Sequence, residues 1–291
     1  MKLGSLCPAP CIAGASTFEI PSPGCSSDQL EFGHEGGRRF YSVLLCNHDL
    51  AANVDPKVAL VGLSPGKTQI DAFVDAYRRT GSYAEASIAG AFSGLAPDII
   101  AMLNGLGLSG KLVLRFPVST LARHPDVYGT SMVACASLTS DYSSDDFDPR
   151  TNQAAMRCST IRLIGDLCRP TFSRLSHVLI LGSKAWDAAQ TMKTTSGSTV
   201  IKALEASGKV VMNLPHPSGQ NQEYVKLASL SAAAMPSLQS YVSTKWEEYK
   251  NKPPRPGRRK EPEGKYKAKR ATVWKAVHAL RNKAMSLETT K

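Results

Sequence analysis

Short apolar runs alternate with helical periodicities along most of the chain. Val58-Ala59-Leu60-Val61 is a compact apolar run and reads as a strand. A Gly/Pro loop follows, then apolar spacing of a helix over residues 70–79. Pro97-Asp98 opens another helix that runs to Leu106, with Gly107 as its stop. Ser131-Met132-Val133-Ala134-Cys135 predicts a second strand, and residues 151–167 a helix. His177-Val178-Leu179-Ile180-Leu181 predicts a third strand, with Gly182-Ser183 leading into a helix, and Lys209-Val210-Val211-Met212-Asn213 a fourth. Strands that alternate with helices predict an α/β domain, a three-layer α/β/α sandwich around a mostly parallel four-stranded central sheet. Ligands of such sheets bind beyond the carboxyl ends of the strands, so the loops after Val61 and after Asn213 are the places to look.

The two ends read differently. Pro8, Pro10, Pro21 and Pro23 argue against long helices near the start, while residues 39–45 form a possible strand. Residues 1–56 are expected to be an extension packed on the core, and 57–244 the main domain. Lys252-Pro253-Pro254-Arg255-Pro256-Gly257-Arg258-Arg259-Lys260 reads as a basic linker, and residues 271–280 as a short amphipathic helix in a basic C-terminal arm, 245–291. A solvated tail and an arm that holds a phosphate backbone are both open readings of that segment.

The chain has 291 residues, 42% hydrophobic and 20% charged, enough to bury a core. No apolar run approaches the ~18 residues of a membrane span. The first 20 residues lack the pattern of a secretory signal. Seven cysteines in no dense framework fit a reducing compartment, so a cytoplasmic protein is expected. The net charge of +11 is concentrated: residues 245–291 hold 15 Lys/Arg and 5 Asp/Glu, a net of +10. That excess favours an anionic partner, nucleic acid or an acidic membrane surface.

Two loops carry candidate chemistry. Gly62-Leu63-Ser64-Pro65-Gly66-Lys67-Thr68 approaches a P-loop, but the spacing requires a glycine where Val61 stands, and Pro65 removes an amide that should cradle phosphate. Leu214-Pro215-His216-Pro217-Ser218-Gly219-Gln220-Asn221 grips a histidine between two prolines and then offers small polar groups at a helix start, where anions bind. A capped strand-to-helix turn is the plain alternative.

Taken together, these loops resemble the two active-site motifs of the uracil-DNA glycosylase superfamily. Between them, in order, Ala91-Phe92-Ser93-Gly94 resembles the Pro-Phe-x-Gly segment of its iron–sulfur branch, Thr130-Ser131-Met132-Val133-Ala134-Cys135 resembles its Thr-Asn-Val-Val-Lys-Cys strand, and Val178–Leu181 with Gly182, Ser183 and Ala185 resembles its next strand and helix start. The resemblance covers about residues 57–235. It implies a uracil-DNA glycosylase-like fold and hydrolysis of an N-glycosidic bond in double-stranded DNA by a monomer, with no membrane partner. Phe92 would stack on the flipped base, His216 would donate to the base oxygen that gains charge, and Gly62, Pro65, Gly66, Gln69 and Ser131 would line the substrate. Pro217, Ser218, Gly219, Gln220 and Asn221 would meet DNA, aided by Arg258, Arg259 and Lys260.

The chain departs from the family at informative positions. Ser64 stands where many members carry Asp or Asn to position water, and Asp71 is the best replacement carboxylate. Ser131 replaces a base-reading asparagine, and Gly66 stands where the strictest uracil enzymes carry a blocking aromatic. These changes suit a modified pyrimidine, with glucosylated 5-hydroxymethylcytosine of phage DNA, removed in bacterial anti-phage defence, as the expected substrate. Uracil or deaminated-base repair, and a DNA-binding member without catalysis, are the alternatives. No cofactor is required by this chemistry. The resemblance also implies four candidate iron–sulfur ligands, Cys7, Cys11, Cys135 and Cys158, while Cys46 with His48 offers a weaker zinc pattern and buried thiols are the ordinary outcome.

Overall fold

The computed structural model describes residues 2–6, 14–45, 55–114, 121–143, 147–254, 256–257 and 259–287. In chain order they form β1 (Glu31–Glu35), β2 (Arg38–Leu44), β3 (Val58–Gly62), α1 (Lys67–Thr80), α2 (Tyr83–Gly90), α3 (Ala96–Gly105), α4 (Leu108–Lys111), β4 (Val127–Ser131), β5 (Cys135–Thr139), α5 (Gln153–Arg157), α6 (Leu163–Leu167), β6 (His177–Leu181), α7 (Ser183–Thr191), α8 (Val200–Ala206), β7 (Val210–Leu214), α9 (Gln222–Ser229), α10 (Leu238–Lys250) and α11 (Glu263–Ser286). A π-helical turn, Cys158–Arg162, joins α5 to α6. The chain divides into two compact units, Met1–Ala96 with Arg115–Leu214, and Pro97–Leu114 with Pro215–Lys291.

The first unit is α/β. Its main sheet has four parallel strands in the order β4-β3-β6-β7. Every residue of β6, and all of β3 but its terminal Gly62, is buried, as expected of a parallel sheet covered on both faces. The handedness rule for crossovers sends α1 and α2 to one face, since β3 leads to β4, and α5–α8 to the other, since β4 and β6 lead toward β7. The connections after β3 and β6 therefore diverge, which opens a crevice beyond the carboxyl ends of these two neighbouring strands. Helix α1 forms because Ile70, Phe73, Val74 and Tyr77 share one buried stripe, while Arg78 and Arg79 complement the dipole at its end. Gly81, at φ +69°, closes it.

The third and fourth predicted strands fall within one residue of β6 and β7, and the strand expected at residues 39–45 is β2, but one sequence expectation changes here. The run 131–135 is not one strand. The chain leaves the parallel sheet at Ser131, bends over 132–134 and re-enters a second, antiparallel sheet of order β1-β2-β5. Periodicity cannot reveal a switch between two sheets, because both halves are apolar. The N-terminal segment contributes β2 as the central strand of that second sheet, joined to β5 by pairs such as Phe40–Ser137.

The second unit is helical, built from α3, α4 and α9–α11. Gly105 lets α3 cross α9 closely: a Cβ there would lie 2.4 Å from the Ala228 carbonyl oxygen. The predicted terminal helix of ten residues is instead the 24-residue α11. Tyr266, Val273, Val277 and Ala284 form its buried seam, with Arg281 buried among them. The boundary expected at 244/245 falls inside α10. The apolar seam of α11 is sparse between lysines, so its length shows only once α9 and α10 cover it.

Candidate active site

The first unit gathers the Gly62–Gly66 loop and Ser131 at the carboxyl edge of the parallel sheet. Gly62 ends β3 opposite Ser131, which ends β4. The pairing continues past both strands, with Met132 N–H donating to Gly62 O at 2.8 Å and Val133 N–H to Leu63 O at 3.0 Å. A Cβ on Gly62 would sit 3.4 Å from Ser131 Oγ, so the glycine leaves the serine hydroxyl its space. Ser64 Oγ donates to Cys135 O at 3.3 Å, which ties the loop to the start of β5. Its lone pairs remain to accept from water, but a neutral hydroxyl lacks the charge of a carboxylate. Pro65 is buried, and Gly66 precedes α1.

Phe92 follows α2. Gly90 permits a close approach of α2 to α1, since a Cβ there would lie 2.9 Å from Gln69 O. Phe92 then adopts φ +58°, a left-handed conformation that costs an aromatic residue energy. Its carbonyl accepts from Leu95 N–H at 2.8 Å and Ala96 N–H at 3.0 Å, which stabilises the turn. The ring closes on Gly129 of β4: a Cβ at Gly129 would fall 2.6 Å from Phe92 Cε2. Strain in the backbone thus directs an aromatic ring onto the strand that ends in Ser131.

Two of the expected site residues, Gln69 and Asp71, are otherwise engaged. Gln69 Oε1 accepts from Gly66 N–H at 3.1 Å, so this side chain braces the loop as a helix cap. Asp71 accepts from Lys67 Nζ at 2.7 Å and from the Tyr142 hydroxyl at 3.4 Å. Lys67 in turn lies 4.9 Å from the Tyr142 ring centroid. The Asp71 carboxylate belongs to this surface cluster, and both its oxygens have partners.

No protein-family model, curated protein or solved structure matches the chain.

A residue that sequence reading missed anchors the strand end. Arg162, only 3% exposed, donates from Nη1 to Thr130 Oγ1 at 2.9 Å and to Asp166 at 2.8 Å, and from Nη2 to the carbonyls of Ser131 and Met132. The same π-helical turn supplies Ser159 Oγ to Met132 O at 3.1 Å and Cys158 Sγ as acceptor for Ala134 N–H at 3.4 Å. This clamp explains why β4 stops at Ser131. An arginine four residues before an aspartate on a helix was the available signal, but such spacing usually marks a surface pair.

The His216 loop belongs to the second unit and begins two residues after β7. Burial pushes the His216 imidazole below its ordinary value of 6.5, so it is neutral at pH 7 and offers one N–H donor. Pro217 is buried, and Gly219 and Gln220 are exposed. Ser218 N–H donates to His216 O at 2.8 Å, and Asn221 Nδ2 donates to Ser218 Oγ at 3.2 Å. The expected capping of the helix by this polar group is replaced by a 3₁₀ turn, Gly219–Asn221, folded on itself ahead of α9. Arg259 and Lys260 are exposed, and Arg258 lies outside the described residues.

Of the four cysteines implied as cluster ligands, Cys7 and Cys11 lie outside the described residues, as do Cys46 and His48. Cys135 and Cys158 are buried thiols. Among the described residues no group of three or more His, Cys, Asp or Glu side chains is arranged to hold a metal ion. The Cys158 sulfur, fixed by the Ala134 N–H, serves the strand clamp.

Proposed function

We propose that the chain is a DNA glycosylase with a three-layer, uracil-DNA glycosylase-like first unit. It flips a modified pyrimidine from duplex DNA, with glucosylated 5-hydroxymethylcytosine of phage DNA as the best candidate, and hydrolyses the N-glycosidic bond to leave an abasic site. The observation that carries this reading is Phe92, a buried ring held by left-handed backbone against Gly129, two residues before β4 ends at Ser131. A flat aromatic ring two residues short of the carboxyl end of a parallel strand suits stacking with a base that leaves its own stack and enters beside it.

The chemistry follows from charge. The breaking bond leaves its electron pair on the base and positive character on the sugar, and water then adds to the sugar carbon and loses a proton. A neutral His216 N–H supports the base oxygen that gains negative charge, a preorganised electrostatic effect. Ser131, short and facing a glycine, suits bulk on the pyrimidine better than a paired reading of one base edge. A second reading, a DNA-binding member without catalysis, draws support from two observations: Asp71 is held by Lys67 and Tyr142, and Ser64 donates to Cys135 O.

The test is single-turnover release of free base from oligonucleotides of one sequence that carry glucosylated, hydroxymethylated or unmodified cytosine, or uracil. We expect release from the modified substrates, and a fall of ~10²-fold in His216→Ala with DNA binding retained. Ser131→Asn should shift preference toward uracil, and Gly66→Tyr should reject the bulky base. Release from uracil DNA alone would return the protein to ordinary repair, and release from none would favour the non-catalytic reading.

A further inference from the structure

The second unit holds a feature that base excision does not use. Two adjoining hollows of about 490 and 480 Å³ open along α10 and α11 and share Glu248, Lys252, Tyr266 and Arg270. Gln222 and Glu223, the first residues of α9, line the first hollow. It therefore begins where the His216–Asn221 loop ends.

The wall is a ladder of rings and cations. The Lys260 ammonium lies 5.9 Å from the Tyr249 centroid, Tyr249 stacks on Tyr266 at 4.1 Å and 16°, and the Arg270 guanidinium lies 4.6 Å from the Tyr266 centroid. Arg270 also pairs with Glu223 at 2.7 Å, and Glu223 accepts from the Tyr241 hydroxyl. These rings are committed to one another and to cations, so they shape the wall instead of offering free faces to bases.

The carboxylates in the hollows are also spoken for. Glu223 pairs with Arg270, Glu248 with Lys245 and Glu261 with Lys269. Three exposed cations have no ion-pair or hydrogen-bond partner for their side chains among the described residues: Lys226 in the first hollow, Lys252 in both, and Arg259 in the second. Cations strung along a concave wall whose acids are neutralised focus field along a line instead of at a point.

We propose that this groove takes a phosphodiester backbone, carrying on the strand that meets the His216–Asn221 loop, without regard to base sequence. The inference rests on the reading of the chain as directed to DNA, which selects nucleic acid over an acidic polypeptide. Its test is separate from excision, because the probes contain no excisable base. A labelled oligothymidylate and its duplex with oligoadenylate are titrated with the full chain by fluorescence anisotropy over a range of salt. One variant is Lys226→Gln/Lys252→Gln/Arg259→Gln. The control, Arg79→Gln/Lys193→Gln/Lys202→Gln, makes the same change in net charge on exposed residues of the first unit.

We expect the groove variant to lose ~10-fold or more in affinity, and its slope of log K against log salt to fall by about 2–3, or ~0.7–0.9 per lost phosphate contact. The control should keep both values, and both proteins should melt as the parent does. The probe that suffers the loss identifies the occupant as single-stranded or duplex backbone. Equal losses in both variants, or none in either, would overturn the proposal, as would competition by polyglutamate as effective as that by oligothymidylate. Excision without groove binding would leave the glycosylase reading standing alone, and groove binding without excision the reverse.

Discussion

Phe92 and Gly129 form the most exacting pair of residues in the first unit. A left-handed φ at an aromatic residue costs energy of order 1–3 kcal/mol and persists only when its surroundings hold it. Here the ring fills the space over a glycine, and any side chain at Gly129 competes with it. Gly129→Ala should therefore destabilise the protein by about 1–3 kcal/mol through overpacking, read from chemical denaturation, and should also reduce base release by displacing the ring. Wild-type stability in that variant would show that the ring moves aside freely, and would weaken its assignment as a base platform. The sequence supplied Phe92 as a candidate, but its conformation and its glycine partner needed the fold. Asp71 illustrates the opposite outcome: its position in the first turns of α1 was legible, whereas its engagement by Tyr142, 71 residues away, was not.

At the scale of elements, the π-helical turn between α5 and α6 turns the first unit's strand end. Arg162 is buried with Asp166, and Arg169 reaches the other Asp166 oxygen at 2.8 Å. Arg162→Met would leave the aspartate with its outer partner alone, remove the guanidinium donor to the Ser131 carbonyl and leave the Met132 carbonyl to Ser159 Oγ. We expect a loss of about 3–5 kcal/mol, measured by denaturation, and partial recovery when Asp166→Leu is added, because the second change removes a buried charge left with only its partly exposed partner Arg169. No recovery would mean that the carbonyl contacts, rather than the ion pair, dominate. In the second unit Gly105→Ala meets backbone atoms of Ala228 and Ser229, which cannot rotate away as a side chain can. It should cost more than the ~1 kcal/mol typical of a substitution, with the loss seen as a lower melting temperature.

For the whole molecule, stability depends on pH through two histidines and on the C-terminal helix. Burial lowers the imidazole of His177 in the first unit and of His216 in the second. The unfolded chain then takes up protons at these sites before the folded one does. Their contribution to stability is complete above the ordinary histidine value near 6.5 and is lost as pH falls below it. The melting temperature should drop between pH 7.5 and pH 5.5, and His177→Gln should flatten part of that drop; an unchanged pH profile in the variant would remove His177 as a source. Deletion of residues 251–291 would take away α11 with its buried Tyr266, Val273, Val277 and Ala284. We expect the truncated chain to lose cooperative melting of its second unit, a result that a merely solvated tail would not produce.

The local pattern determined much of this protein by itself. The apolar runs of β3, β6 and β7, the helical stripe of α1, the concentration of charge after residue 244 and the two loops at 62–66 and 216–221 follow from neighbours in sequence, because strand and helix periods and proline restraint act within a few residues. Other features depended on partners far along the chain. The break between β4 and β5, the central place of β2 in a second sheet, the engagement of Asp71 by Tyr142, and the role of Arg162 all involve residues tens of positions apart. A hydrophobic pattern reports that a residue seeks burial but carries no record of which distant group will bury it. Tertiary structure alone decided that Arg162 holds a strand end, and that a lysine-rich terminal segment has enough apolar seam to pack as a helix and leave its cations around a groove.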